Sequence, residues 1–392
     1  MTESKKYPVY RNRVLILLFL TTFGTSLAMS SINAIWPLYI ISLGATVFEA
    51  SYVISLSGIA GTILRVPSGM VSDKLGRRTV VLASIVLAIV PPLFYMFVTS
   101  WSQLIPWATI YGLALAFFMP TTLAWIADLV PQEERTAAYG FLNMAFPLGF
   151  MAGPILGGMV VDVSGWTNLF ILVAAIHGLS LLPTVMIVGT ENGTIEVRNP
   201  PQDVSSKRGQ TKIILLLLFL QFLFGFGFGT VNPLIPIYLT ERFDSTTTQI
   251  GIFSSIGFGV AVFLAQIPSA RLAERVGKES LILYCSSIIP FTFILWSSGT
   301  MYAQLLVLYM LATGAWGMTW SSLASILMEA APGSRRGLFS GLSEASVSLG
   351  FTAGPALAGM LWEGLGPETP LYASSLIFAV AIPVALMLRS SK

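Results

Sequence analysis

Charge is scarce in this sequence. Asp, Glu, Lys and Arg make up 10% of its 392 residues, where a soluble domain carries roughly a quarter. A surface that poor in charge would expose large apolar patches to water, which excludes a soluble protein. Cysteine occurs once, at Cys285, so neither a disulfide framework nor a multi-thiolate metal site is open to the chain. Histidine also occurs once, at His177, which argues against a histidine-built metal centre. The net charge is only +3 and no long basic run exists, so no nucleic-acid partner is expected. What is abundant is apolar: 55% hydrophobic residues and a mean hydropathy of +0.79. An integral membrane protein remains.

A helix needs about 20 apolar residues to cross a hydrocarbon core of about 30 Å. Twelve segments meet that measure: 14–41, 48–71, 79–98, 103–129, 136–161, 167–189, 212–239, 249–272, 280–298, 302–329, 337–362 and 370–388. None alternates with the short period of a membrane β-barrel. Lipid offers the backbone no hydrogen-bond partner, so the spans are expected to be helices. Nineteen of the 21 basic residues fall at the termini, the central segment and the even-numbered joints. The opposite side has only Arg242 and carries the acids Glu49, Asp162, Glu241, Asp244, Glu363 and Glu368. The bias of Lys and Arg towards the cytoplasm predicts a multi-pass protein of the cytoplasmic membrane with both termini inside. No cleavable signal is expected, because the first apolar stretch is too long for one. Asn192-Gly193-Thr194 fits a glycosylation sequon but falls on the cytoplasmic side.

The polar stretch 190–211 divides the chain into an N-terminal half, 1–189, and a C-terminal half, 212–392. The halves match when shifted by 201 residues. Pro67-Ser68 falls on Pro268-Ser269, Asp73 on Glu274, Gly76 on Gly277, Arg77 on Lys278, Asp128 on Glu329 and Arg135 on Arg336. Leu148-Gly-Phe-Met-Ala-Gly-Pro matches Leu349-Gly-Phe-Thr-Ala-Gly-Pro, and a shift of 199 brings Asn33, Pro37 and Tyr39 onto Asn232, Pro236 and Tyr238. A near-constant offset over four regions indicates duplication. Two parallel six-helix repeats are the pattern of a transporter that binds substrate between its halves and rocks one against the other.

Gly69-Met-Val-Ser-Asp73-Lys-Leu-Gly76-Arg77-Arg78 joins spans two and three. Gly69 admits a close helix neighbour, Gly76 permits a tight reversal, and Asp73 can cap a helix or pair with Arg77. This run resembles the loop signature of the major facilitator superfamily. A weaker copy, with Glu274, Gly277 and Lys278, sits where that family repeats it. The resemblance extends over the whole chain. It implies an all-α integral membrane protein of twelve transmembrane helices in two pseudo-symmetric six-helix bundles, and a carrier rather than an enzyme. It also implies that Asp73 and Arg77, with Asp128 at the end of span four, brace the two halves in the outward-facing state. Gly149, Gly153, Pro154 and Gly157 in span five look like the family's antiporter signature, and Gly350, Gly354 and Pro355 repeat it in span eleven. Glycines at these spacings give a smooth helix face and Pro154 a bend, read as close packing between the halves with a hinge. Two departures stand out: Ala108 and Thr109 occupy the region where the family's drug/proton antiporters often carry an arginine, and span one lacks their membrane carboxylate.

An Arg or Asp at the centre of a span costs roughly 2.5–3.5 kcal/mol on insertion scales. Arg65 in span two and Glu344 in span eleven are such residues, at similar depth, and their repeat equivalents are Gln266 and Asn143. In the family spans two and eleven pack together, as do five and eight. Two pairs across the halves are therefore expected, Arg65 with Glu344 and Gln266 with Asn143. The first would be a latch on the cytoplasmic side, closed when the carrier faces outward. Protonation of Glu344 would weaken it and offer a route for coupling to a proton gradient. Either side chain could instead snorkel to the interface. His177 and Cys285 read as packing residues.

In this fold spans one, four, seven and ten line the cavity. Here they carry Ser26, Ser30, Asn33, Trp36, Tyr111 and Phe118 in the first half, and Gln221, Asn232, Trp316 and Trp320 in the second. Aromatic walls, a few amides and no central charge suit a neutral or amphipathic small molecule. The leading expectation is a monomeric secondary transporter of the multidrug-efflux type, an antiporter with alternating access. A sugar or metabolite importer or facilitator on the same fold is the alternative, and a non-transporting receptor a second. No loop exceeds about 22 residues and no ATP-binding P-loop occurs, so no cofactor is expected and an ion gradient or the substrate's own would supply the energy.

Overall fold

A computed structural model of the chain describes residues 12–130, 135–187, 208–330 and 336–390. Most of the linker expected at 190–211 lies outside the described residues, as do the terminal Lys5, Lys6, Arg11 and Lys392. The described residues are helical, without strands. Span one is Arg13–Asn33 continued by Trp36–Ser42, span two Val47–Leu75, span three Arg77–Tyr95 and span four Leu104–Leu129. Span five begins as Arg135–Asn143 and enters the long helix Ala145–Val185, which also supplies span six. Span seven is Arg208–Val231 with Ile235–Phe243, and span eight is Thr247–Ser254, Ser255–Val260 and Ala261–Val276. Spans nine to twelve are Lys278–Ser297, Tyr302–Ala330, Arg336–Leu365 and Thr369–Ser390. Nine stretches of the described residues are long and apolar enough to cross a membrane unaided, and one of them, Ala138–Val185, contains two spans. Spans ten and eleven fall short of that apolarity, being rich in Gly, Ser and Thr.

The breaks between spans have local causes. Thr46 and Thr246 each cap a helix start, accepting from the N–H of Glu49 and of Gln249, whose side chains return the bond. Such a capping box satisfies two of the donors left over at a helix N-terminus. At the reversals into spans three and nine, Gly76 and Gly277 both have φ 87°, a region costly to residues with a Cβ. Span one breaks at Ile35 ahead of Pro37, and span seven at Val231 ahead of Pro233 and Pro236, because proline removes a donor and crowds the preceding turn. The joint expected at 162–166 is narrower than the sequence implies. A single residue, Gly165 at φ 82°, breaks the long helix there.

Within each half, one glycine face brings two spans into backbone contact. A Cβ at Gly149, Gly153 or Gly157 of span five would meet Ser26, Leu27, Ser30 and Ser31 of span one. A Cβ at Gly350 or Gly354 of span eleven would meet span seven between Phe222 and Thr230. This corrects the reading of these glycines as packing between the halves. They serve packing inside each half, and Pro154 and Pro355 lie within continuous helices rather than at a hinge. Small residues are what let membrane helices approach this closely, since lipid gives no hydrophobic drive for association.

Gly157→Ala should therefore destabilise the protein by about 1–3 kcal/mol, the usual cost of overpacking, because its Cβ meets backbone atoms of Ser31. Gly178→Ala, with no neighbour within 4 Å of its Cβ, should leave stability unchanged or raise it. Thermal unfolding in detergent checks both; equal behaviour of the two variants would contradict the packing.

Candidate functional site: the seams between the halves

The halves meet along two seams, span two against span eleven and span five against span eight. Each seam runs between the end of the molecule that carries the Arg77 and Lys278 joints, here the basic end, and the opposite, acidic end. At the acidic end of the first seam the Phe48 N–H donates to Glu363 Oε1 over 2.8 Å. Farther in, the Ala356 N–H donates to Ser55 Oγ over 2.9 Å. Thr62 Oγ1 then lies 2.7 Å from Ser348 Oγ and 3.1 Å from Thr352 Oγ1. Beyond it Arg65 Nη1 stands 4.0 Å from Glu344 Oε2, with 37% and 52% of the two side chains exposed. These contacts follow one antiparallel register over roughly five helical turns.

The second seam starts alike and ends sooner. Thr247 Oγ1 donates to Asp162 Oδ1 over 2.6 Å and to the Gly158 carbonyl over 2.8 Å. Gly251 lies against the Pro154 carbonyl and Gly259 against Met151. The rings of Phe150 and Phe258 meet at 5.5 Å. Asn143 and Gln266, farther along the same register, are exposed and share no hydrogen bond among the described residues. The second expected pair is thus not formed. Spans five and eight separate towards the basic end, beyond the Phe150–Phe258 contact.

The pair Arg65–Glu344 is brought together, but in a state closed at the acidic end. The sequence reading reserves it for the opposite state. The reason is that spans two and eleven pack along most of their length, so closure there does not require spans five and eight to close. Among the described residues no hydrogen bond or ion pair joins the halves closer to the basic end than this pair. At 4.0 Å and half exposed, it is worth little as an attraction, about 0–1 kcal/mol.

Among the described residues the loop signature pairs inside one half. Arg77 pairs with Asp73 and, through Nε at 3.0 Å, with Asp128 Oδ2, and it also donates to Ser72. Its side chain is only 16% exposed, so the two carboxylates offset a partly buried charge. Gly69 lies on span two ahead of this network, and Gly76 turns the chain so that Arg77 opens span three. The repeat copies the core of the arrangement: Lys278 pairs with Glu329, which lies as far along the chain from it as Asp128 does from Arg77.

The sequence profile of the Major Facilitator Superfamily matches residues 18–215 and 217–392. The chain belongs to the Major Facilitator Superfamily. An MFS-type transporter of Methanocaldococcus jannaschii is 24% identical over 95% of this chain and 97% of its own length. Multidrug resistance protein 2 of Bacillus subtilis is 22% identical over 97% and 96%. The crystal structure of a bacterial homolog of the human lysosomal transporter Spinster, in an inward-facing and occupied conformation, superimposes with a TM-score of 0.77 at 14% identity. It covers 98% of this chain and 97% of that one. The family is one of carriers, and this protein is a membrane transporter, not an enzyme.

The residues expected to line the carrier's cavity divide sharply. Ser26 and Ser30 are buried against span five, with Ser30 Oγ donating to the Gly149 carbonyl over 2.9 Å. Trp36 packs on Tyr39 and Tyr95. Tyr111 turns to His177, its hydroxyl 3.1 Å from Nε2, and Phe118 is 2% exposed in the core of the first half. Gln221 accepts from Ser343 Oγ over 2.6 Å. These six residues serve packing and the cavity assignment is withdrawn. Each lies on the correct span but on the face turned to its own half. Asn33 is exposed, and Asn232 is half-buried with Oδ1 accepting from the Tyr309 hydroxyl over 3.1 Å. The rings of Trp316 and Trp320 lie 5.7 Å apart, tilted by 44°, and Trp316 reaches Phe258 at 5.6 Å and Phe228 at 5.8 Å. Through Phe258 and Phe150 this aromatic chain crosses from one half to the other, midway along spans five, eight and ten. Sequence reasoning passed over Phe150, Phe258 and Thr62 because their spans were not assigned to the cavity.

Arg77→Ala should cost about 1.5–3 kcal/mol, the scale for lost hydrogen bonds to charged groups. In an Arg77→Ala/Asp128→Ala double variant the losses should be clearly less than additive. Additive losses in thermal unfolding would show that the two side chains do not act as a unit.

Proposed function

We propose that the protein exports amphipathic aromatic compounds from the cytoplasm in exchange for protons, by rocking its halves about the two seams. The observation that carries this reading is the aromatic chain Phe150–Phe258–Trp316–Trp320. It meets the opening between the halves at mid-depth, and no charged side chain contacts its rings among the described residues. Flat apolar molecules stack on such faces, whereas an anionic metabolite needs an Arg or Lys cluster. The relative named for multidrug resistance supports the same substrate class. The bias of Lys and Arg supports a cytoplasmic basic end and a place in the cell membrane. The opening between spans five and eight is then the entrance for substrate from inside.

Glu344 is the group proposed to take the proton. It is a carboxylate within a span, on a seam between the halves, beside a basic partner. Once protonated it no longer attracts Arg65, and the basic end of the first seam is left to Thr62, Ser348 and Thr352. Ionised again, it regains that attraction, worth about 0–1 kcal/mol. In this way the proton biases the inward/outward balance.

A proteoliposome flux assay over a panel of aromatic dyes, with a proton gradient imposed or collapsed, tests the reading. The expected result is dye flux that rises several-fold with the gradient in the unaltered protein and is indifferent to it in Glu344→Gln. Gradient dependence persisting in Glu344→Gln would exclude this residue as the coupling group. Flux of sugars but of no dye would exclude the exporter reading.

A further inference from the structure

We propose that Asp162 and Glu363 are the outer gate residues of this carrier, each tying one half to the first turn of a helix in the other, so that outward opening requires both ties to break. Asp162 stands at the joint of spans five and six. Its Oδ1 accepts from the Thr247 N–H at 3.1 Å and from Thr247 Oγ1 at 2.6 Å, and its Oδ2 from the Thr248 N–H at 2.8 Å. Glu363, near the end of span eleven, accepts from the Phe48 N–H at 2.8 Å. The two carboxylates lie 201 residues apart, the offset of the internal repeat. Duplication therefore placed an acid at the same point of each half, and the fold turned each towards the other half's helix start.

The chemistry of the helix ends explains the fit. The first N–H groups of a helix have no partner within it. The Thr46 and Thr246 capping boxes take the N–H groups of Glu49 and Gln249, leaving those of the preceding residues open. Those are the groups that the opposite half supplies with acceptors: Phe48 on one side, Thr247 and Thr248 on the other. Negative charge at a helix N-terminus is further favoured by the helix dipole. Beneath each tie the backbones touch. A Cβ at Gly359 would meet Phe48 and Ser51, and one at Gly158 would meet Thr247 and Thr248. These glycines are also 201 residues apart, and unlike Gly149, Gly153, Gly157, Gly350 and Gly354 they face the other half.

The two ties are unequal, three donors on Asp162 against one on Glu363. Most of the resistance to outward opening therefore falls on the seam of spans five and eight, the same seam that is already parted at the basic end. Partial burial alone would raise the Asp162 pKa; hydrogen bonds from Thr247, Thr248 and Thr246 outweigh it and hold the carboxyl down at about 2. A lowered value means that the tie is complete above the ordinary 3.8 and is lost only as the pH falls through about 2. Asp162 takes part in no ion pair among the described residues, so its tie rests on these hydrogen bonds alone.

The proposal requires only the carrier fold, not the substrate or coupling ion of the preceding section, and its test uses neither. Ser51→Cys, in a Cys285→Ser background, places a thiol at a position 1% exposed beneath the Glu363 tie. Labelling by a membrane-impermeant maleimide added from the acidic side then reports outward opening. Asp162→Asn should raise the labelling rate about tenfold, the change expected for roughly one charge-assisted hydrogen bond. Glu363→Gln should raise it about threefold, and the double variant by about the product. Thr247→Val, which removes the hydroxyl donor and leaves both carboxylates in place, should fall between. Asp244→Asn, an acid of the same end in a left-handed turn, is the control and should change nothing. Thermal unfolding of each variant separates gate opening from loss of fold. Labelling unchanged by Asp162→Asn in a folded protein, or raised equally by Asp244→Asn, would overturn the proposal.

Discussion

The two halves of this carrier must hold together in a solvent that gives them little reason to. Lipid is as apolar as the helices it surrounds, so no hydrophobic drive presses one half against the other. What remains is close contact of backbones, the hydrogen bonds that such contact allows, and the unpaired donors at helix ends. The structure uses all three at the same place. Gly158 and Gly359 let the backbones touch, Thr247 and Ser55 bond across the gap, and Asp162 and Glu363 fill the open donors of the partner's helix start. Each contact is modest, so the interface can be broken and remade. A carrier needs that property, and a large apolar interface would deny it.

Duplication explains why the seams resemble each other, and later divergence why they differ. Thr46 and Thr246, Gly76 and Gly277, and the pairs Arg77–Asp128 and Lys278–Glu329 hold equivalent places in the two halves. Charge breaks the symmetry. Arg65 and Glu344 stand on the seam of spans two and eleven, while their counterparts Gln266 and Asn143 are exposed and, among the described residues, share no bond. One seam is thus a continuous contact with an ionisable pair at its inner limit. The other closes at the acidic end and stops at a pair of aromatic rings. The rocking proposed above would act on two seams that differ in this way.

Topology was legible in the sequence because it rests on features that survive projection onto one dimension. Spans follow from apolar length, the repeat from a constant offset, and the loop network from residue types that pair in only a few ways. The faces of helices were not legible to the same degree. Successive residues on a helix point about 100° apart, so Ser30 and Asn33 share a span yet one bonds the Gly149 carbonyl and the other is exposed. Nor can a glycine stripe name its partner, since Gly153 serves a helix of its own half and Gly158 one of the other. Asp162 and Glu363 were read only as part of an acidic face. The offset of 201 already related them, but a carboxylate bonded to backbone N–H groups leaves no partner side chain for the sequence to show.

The proposed rocking couples the two ends of one seam, so that closing the basic end of spans five and eight requires opening their acidic end. Spin labels at Asn143 and Gln266, and a second pair at Val163 and Asp244, measure both ends by pulsed electron resonance. In reconstituted protein the expected result is two populations. In one the 143–266 distance is long and the 163–244 distance short, and in the other the order is reversed. Distances that vary independently at the two ends, or an inner distance that never shortens, would contradict it.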